Sequence, residues 1–170
     1  MSVERPGVSL GVDVGKARVG LAASDPDGIM ATPVATLKRD AGKRRDVHRI
    51  AAIAAERDAR RVFVGLPLAL SGRETASTQD ARDYASHLAA ALQAGGVECE
   101  VRMVDERLTT VTAQQQLSGV GVAARDQRKI IDQVAAVAIL EHALETFKRH
   151  GAAGTPLPDA PPHSTGEETL

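Results

Sequence analysis

Between Val8 and Val14 the chain reads V-S-L-G-V-D-V. This alternation places Val8, Leu10, Val12 and Val14 on one face of a strand and Ser9, Gly11 and Asp13 on the other. A strand with one wholly apolar face must bury it, so a sheet covered on at least one side is required. Gly15-Lys16 makes a tight turn into a second extended segment, Arg18 to Ala23, and Asp25-Pro-Asp-Gly28 turns into a third near Thr32 to Leu37. Three strands in succession predict an antiparallel meander.

The period then changes. After the polar run Lys38 to Asp46, the residues Val47, Ile50, Ala51, Ala54 and Ala55 recur at helical spacing and lead into a buried-type strand, Arg61 to Gly65. Pro67 and Gly72 make the next segment a loop, and Thr75 or Ser77 can cap a helix whose apolar stripe is Ala81, Tyr84, Ala85, Leu88 and Leu92, ending at Gly95-Gly96. Val97, Cys99, Val101 and Met103 alternate with charged residues, which predicts a fifth strand ending near Val104. Thr109 or Thr110 can cap a short helix to Leu117, and Asp126 a last, apolar helix to about His150. The order β-β-β-α-β-α-β-α-α predicts an α/β domain over residues 1–150, a mixed five-stranded sheet flanked by helices. Four prolines between Pro156 and Pro162 and few apolar residues make 151–170 a disordered, proline-rich tail.

Composition narrows the function classes. The N-terminus carries no apolar signal core and no stretch approaches the roughly 20 residues a membrane span needs, so a cytoplasmic protein without membrane contact is expected. Cys99 is the single cysteine, which removes intramolecular disulfides and multi-cysteine zinc sites; a metal would have to be held by oxygen or histidine. Asp159, Glu167 and Glu168 are the acids of the last 20 residues, so without that tail the balance of 21 basic to 22 acidic residues becomes 21 to 19, or +2. That balance is compatible with a basic face. With two Phe, one Tyr and no Trp, recognition built on aromatic base stacking is not expected.

Asp13 is a carboxylate on an apolar strand, flanked on its own face by small residues that leave room for a ligand; taken alone, its position fits a solvent-facing Asp beside a turn better. Glu106 lies in Asp105-Glu-Arg-Leu-Thr-Thr110, just past the fifth strand, where α/β folds commonly present ligand-facing residues; taken alone, it also fits a surface ion pair with Arg107. Asp132 sits inside Ile130-Ile-Asp-Gln-Val-Ala-Ala-Val137, where a charge must be exposed, paired or functional. Arg128, four residues upstream, offers an ordinary helical ion pair. Ala135 and Ala136 would let that helix approach a sheet closely. If the three carboxylates converge, they form a hard-oxygen site suited to Mg²⁺ or Mn²⁺, and phosphodiester cleavage is the natural use of such a site. Arg18, Arg73 and Arg107, in the bordering turns and loops, are expected to contact nucleic-acid phosphates.

Other motifs do not complete. Gly11 to Ala17 has three residues where a phosphate loop has four, and Ala17 where Ser or Thr should stand. The five histidines have no ligand spacing, and no serine sits in a nucleophile elbow. An ATP-binding protein of the actin and Hsp70 type would need a second domain around its cleft, and a non-catalytic RNA-binding or assembly factor would not need all three acids.

Taken in order, Leu10-Gly-Val-Asp-Val-Gly15 with Arg18 and Gly20, Val64-Gly-Leu-Pro-Leu68 with Gly72, Asp105 to Thr110, and Ile131-Asp-Gln-Val-Ala-Ala136 resemble the YqgF (RuvX) family of the RNase H-like superfamily, relatives of the RuvC-type Holliday junction resolvases. The resemblance spans residues 8 to about 147. It implies an RNase H-like fold with Asp13, Glu106 and Asp132 at the family's acidic positions and a divalent metal as cofactor. It also implies a nucleic-acid substrate: structured RNA in 5′ processing of the small-subunit ribosomal RNA precursor, or branched DNA in junction resolution. Lys16-Ala17 departs from the family pattern before Arg18. A resolvase would have to act as a homodimer, whereas an RNA-processing enzyme can act as a monomer or weak dimer, which is the expectation here.

Overall fold

The computed structural model describes residues 6–107, 124–151 and 154–157, and of residues 124–131 the backbone alone. The elements are β1 (Val8–Val14), β2 (Arg18–Ser24), β3 (Ala31–Lys38), α1 (Arg45–Glu56), β4 (Ala59–Leu66), α2 (Ala76–Ala94), β5 (Glu100–Asp105), α3 (Ala124–His150) and β6 (Thr155–Pro156). The short helix expected from Thr109 to Leu117 and the chain beyond Leu157 lie outside the described residues. No described helix is long and apolar enough to cross a membrane.

The strands form one mixed sheet in the order β3-β2-β1-β4-β5-β6. The first three make the expected antiparallel meander, and β4 and β5 then add in parallel to β1. Each parallel addition is made through a crossover helix, α1 and then α2, and both lie on one face. There Leu10, Val12, Val62, Val64, Val101 and Met103 meet Ile50, Ala85 and Leu88 in the larger core cluster. Helix α3 covers the opposite face, where Ala22, Phe63 and Val104 pack against Ala136, Ile139, Leu140 and Leu144.

Three local outcomes differ from the sequence expectation. The small residues beside Asp13 accommodate a helix: a Cβ on Gly11 would stand 2.6 Å from the Ala136 carbonyl oxygen, so their smallness lets α3 lie against β1. Strand β5 begins at Glu100, not Val97, because the Val97 N–H turns back to the Leu92 carbonyl and closes the end of α2 at 2.9 Å. The sheet has six strands, not five: Thr155 and Pro156 pair antiparallel with Met103 and Arg102.

The loop between β4 and α2 is fixed at its helical end. Thr75 caps α2 in a reciprocal capping box with Thr78. The Thr78 hydroxyl also donates to the Pro67 carbonyl, tying the loop's start to the helix's first turn.

Candidate functional site

The ends of β1, β4 and β5 point the same way, and the acids expected from sequence stand there. Asp13 is the next-to-last residue of β1, paired across to Gly20 of β2. Glu106 follows β5 directly; its N–H donates to the Leu66 carbonyl at 3.3 Å, extending the β4–β5 ladder by one step. Gly65 supplies the space the side chain needs, since a Cβ there would overlap Glu106 Oε2. Asp132 arrives from α3. The helix touches β2 where a Cβ on Gly20 would overlap the Asp132 carbonyl oxygen, so a glycine at this position sets how close Asp132 comes to the sheet.

The electrostatics are those of like charges gathered away from water. Burial, then the charge of Asp132, pushes the Asp13 carboxyl up to about 6, while a hydrogen bond from Glu106 works in the opposite direction. Burial, then the charge of Asp13 and the hydrogen bond to it, pushes Glu106 up to about 8. The two acids therefore titrate as a coupled pair, held more protonated than free carboxyls by burial and by each other's charge. Asp132 is held differently: Arg18 Nε donates to its Oδ2 at 3.0 Å. In this arrangement no three His, Cys, Asp or Glu side chains among the described residues form a group that could hold a metal ion. The acids fit one in kind, all hard oxygen donors with a charge excess that a cation would relieve, and Asp132 would join them by leaving Arg18.

The three arginines named from sequence separate. Arg18 contacts an acid of the site. Arg107 forks onto Asp105, with Nη2 to Oδ2 at 2.6 Å and Nε to the same oxygen at 2.9 Å, and its Nη1 reaches the Leu70 carbonyl at 3.3 Å. It therefore pairs with Asp105 and braces the β4–α2 loop; the pair expected with Glu106 does not form. Arg73 is exposed on that loop and contacts none of the acids.

A second polar cluster escapes sequence reading. Arg39, just past β3, binds Asp80 of α2 through both terminal nitrogens at 2.9 and 3.0 Å, lies 5.0 Å from the Tyr84 ring centroid, and donates from Nη1 to the Gly15 carbonyl at 2.7 Å. Tyr84 in turn donates to the buried Asp46 at 3.0 Å. Arg39 thus fixes the β1–β2 turn between Asp13 and Arg18 to α2. The only local signal was a lone Tyr on a helix stripe.

This mixed sheet with α3 across one face has the fold of RuvC. A Thermus thermophilus RuvC structure superposes with a TM-score of 0.50 at 20% identity, covering 88% of this chain and 99% of that one. The same organism's RuvC in complex with a Holliday junction substrate superposes with a TM-score of 0.53 at 17% identity, with the same coverage of both chains.

Sequence comparison is more specific. The family model described as "RuvX: Holliday junction resolvase" matches residues 7–146, and the chain belongs to that family. A relative from Clavibacter sepedonicus is 57% identical over 152 residues, 89% of each chain, and one from Mycobacteroides abscessus 48% identical over 148 residues, 87% of each. Both carry the name "Putative pre-16S rRNA nuclease".

Proposed function

We propose that this protein is a divalent-metal-dependent endonuclease that cleaves phosphodiester bonds in the 5′ processing of pre-16S ribosomal RNA, acting in the cytoplasm. The observation that carries the reading is the Asp13–Glu106 pair, two half-buried carboxyls side by side at the ends of β1 and β5, whose burial and mutual charge, with that of Asp132, push both up from the ordinary carboxylate range. Buried acids arranged against their own ionisation mark functional sites. The family membership and the shared name of the close relatives point to the same activity.

Asp13, Glu106 and Asp132 would hold Mg²⁺ or Mn²⁺, which when bound supplies an activated water and charge stabilisation at the leaving oxygen. The chain's own part follows from the contacts present. Asp13 and Glu106 would hold the ion as carboxylates and Asp132 would be the third ligand, while Arg18, which now donates to Asp132, stands where it would meet a substrate phosphate. Arg107 holds the β4–α2 loop against Asp105, and it and Arg73 flank the approach as further phosphate contacts.

The test is metal-dependent cleavage of matched panels of pre-16S RNA fragments and four-way DNA junctions by the purified protein. Asp13→Asn, Glu106→Gln and Asp132→Asn should each remain folded and lose cleavage. Wild-type turnover in any one of them at saturating metal removes that residue from the site. The description of the family model favours a second reading, Holliday junction resolution, which cleavage of the junctions with no cleavage of the RNA would select.

A further inference from the structure

A strongly basic segment of the described chain lies outside the acidic site. From Lys38 to Arg49 six basic residues stand against two acids, in a chain whose formal charge is −1. The segment runs from the end of β3 into the first turns of α1 and lines an open groove of about 560 Å³ with Leu37, with Lys38, Arg39, Arg45 and Arg49, and with both acids; Lys43 and Arg44 belong to the same segment outside that lining. Both acids have partners within the protein: Asp40 accepts from Arg45 Nε at 2.6 Å and from the Lys43 N–H at 3.1 Å, and the buried Asp46 accepts from Tyr84 through Oδ2. Lys43, Arg44 and Arg49 are exposed, and among the described residues none of their side chains has an ion-pair or hydrogen-bond partner.

This surface is continuous with the site. Lys38 is the direct cross-strand partner of Arg18, the residue that holds Asp132. Arg39 donates its N–H to the Ala17 carbonyl at 2.9 Å and its guanidinium to the Gly15 carbonyl at 2.7 Å, locking the end of β3 to the turn that follows Asp13. Lys16 stands exposed on that turn.

We propose that the exposed basic segment at the β3–α1 junction is a phosphate-backbone track, in which Lys43, Arg44 and Arg49, with Lys38 and Lys16 leading from Arg18, hold the part of a structured RNA that lies outside the cleavage site. The inference rests on the nuclease reading for its substrate and adds where that substrate runs. Unpaired cations along an open surface suit a polyanion because each phosphate contact releases condensed counterions, which gives affinity without base readout. Asp40, paired with Arg45, and the buried Asp46, bound by Tyr84, hold the segment's shape, and the six basic residues outnumber them along the track.

The experiment is fluorescence anisotropy with an RNA stem-loop bearing a single-stranded 5′ extension, in EDTA so that no cleavage occurs, from about 50 to 200 mM salt. The triple variant Lys43→Gln, Arg44→Gln, Arg49→Gln should bind more weakly, with a log–log salt slope shallower by roughly two to three, about 0.7–0.9 per lost phosphate contact. A control with an equal charge change, Arg57→Gln, Lys148→Gln, Arg149→Gln, should keep the wild-type slope. Thermal melting checks that both are folded. An unchanged slope in the segment variant, an equal loss in the control, or no salt-dependent binding by the unaltered protein overturns the track. Cleavage of the same RNA with metal is scored separately: a lost slope without any wild-type cleavage keeps the track and removes the nuclease reading, and cleavage with an unchanged slope does the reverse.

Discussion

Arg18 Nε and Asp132 Oδ2 meet at 3.0 Å although 114 residues separate them in the chain. The contact joins β2 to α3 and engages one of the three acids proposed for the site. In the proposed metal site a cation would compete with this guanidinium for Asp132. Arg18→Gln should therefore tighten metal binding, by about 2–5-fold, because a half-exposed ion pair is worth at most about 1 kcal/mol. The same variant should weaken RNA binding, since it removes a phosphate contact. Calorimetric titration with Mn²⁺ reads the first effect and anisotropy the second; weaker metal binding would show that Arg18 supports the ion site and does not oppose it.

The Asp13–Glu106 pair makes the metal-free protein pH-sensitive in a definite direction. Both carboxyls keep protons to higher pH when folded, to about 6 and about 8, than in an unfolded chain, where they titrate near about 4. The folded state binds the extra protons, so the contribution is fully present below about pH 4 and is lost as pH rises through about 6 and 8. Glu106→Gln retains a neutral hydrogen-bond donor and removes most of that dependence. In EDTA the variant should gain on the wild type as pH rises from about 5 to 8, by on the order of 1–3 kcal/mol. Added Mg²⁺ should reverse the difference, because an ion needs both acids deprotonated. Parallel melting curves in thermal scans would count against the coupled titration.

Gly20 is the position at which the sheet admits α3. A Cβ there would overlap the carbonyl oxygen of Asp132, a backbone atom with nowhere to go while Ala135 and Ala136 are packed on the strands. Gly20→Ala should cost about 1–3 kcal/mol as overpacking, seen as a lower urea midpoint at unchanged slope. It should also lower cleavage on the order of 100-fold by displacing Asp132. Gly42→Ala is the comparison: its Cβ would find only Asp40 Oδ1, at 3.7 Å, and its stability should stay within a few tenths of a kcal/mol of wild type or rise slightly. Equal stability of the two variants would mean that α3 is not seated through Gly20.

What could be read from the sequence was periodic. The meander, α1, β4 and α2 announce themselves by alternation or helical spacing, and once β1, β4 and β5 run parallel, Asp13 and Glu106 must stand at the same end of the sheet. What could not be read depends on contacts between distant segments. Arg18 reaches Asp132, and Arg39 reaches Asp80 across 41 residues; nothing local marks either pair. The small face of β1 was visible, but smallness alone does not distinguish room for a ligand from room for a helix. A two-residue strand such as β6 has no period to detect.

The edge made by β5 and β6 decides how copies of the chain can meet, and with that which substrate reading the protein can serve. A four-way junction has two strands to cut, related by approximate two-fold symmetry, so its resolution calls for two active sites in a C2 dimer, whereas one site suffices to trim RNA. Strand β5 would be the natural surface for pairing, since an open edge presents unpaired amides and carbonyls. Here Thr155 and Pro156 pair with Met103 and Arg102, and Arg102 Nη2 donates to the Gly154 carbonyl at 2.8 Å, so part of that edge is already taken. Cys99, just before β5, is half-buried, and burial pushes its thiol up to about 11, which keeps it protonated and slow to form an intermolecular bridge at neutral pH. The full chain should therefore sediment as a monomer or weak dimer in reducing buffer and stay so under mild oxidation. Ending the chain at Gly151 removes β6 and should raise self-association at the same concentration. A stable dimer of the full chain, with paired symmetric cuts in a DNA junction and no cleavage of pre-16S RNA, would instead assign it to junction resolution.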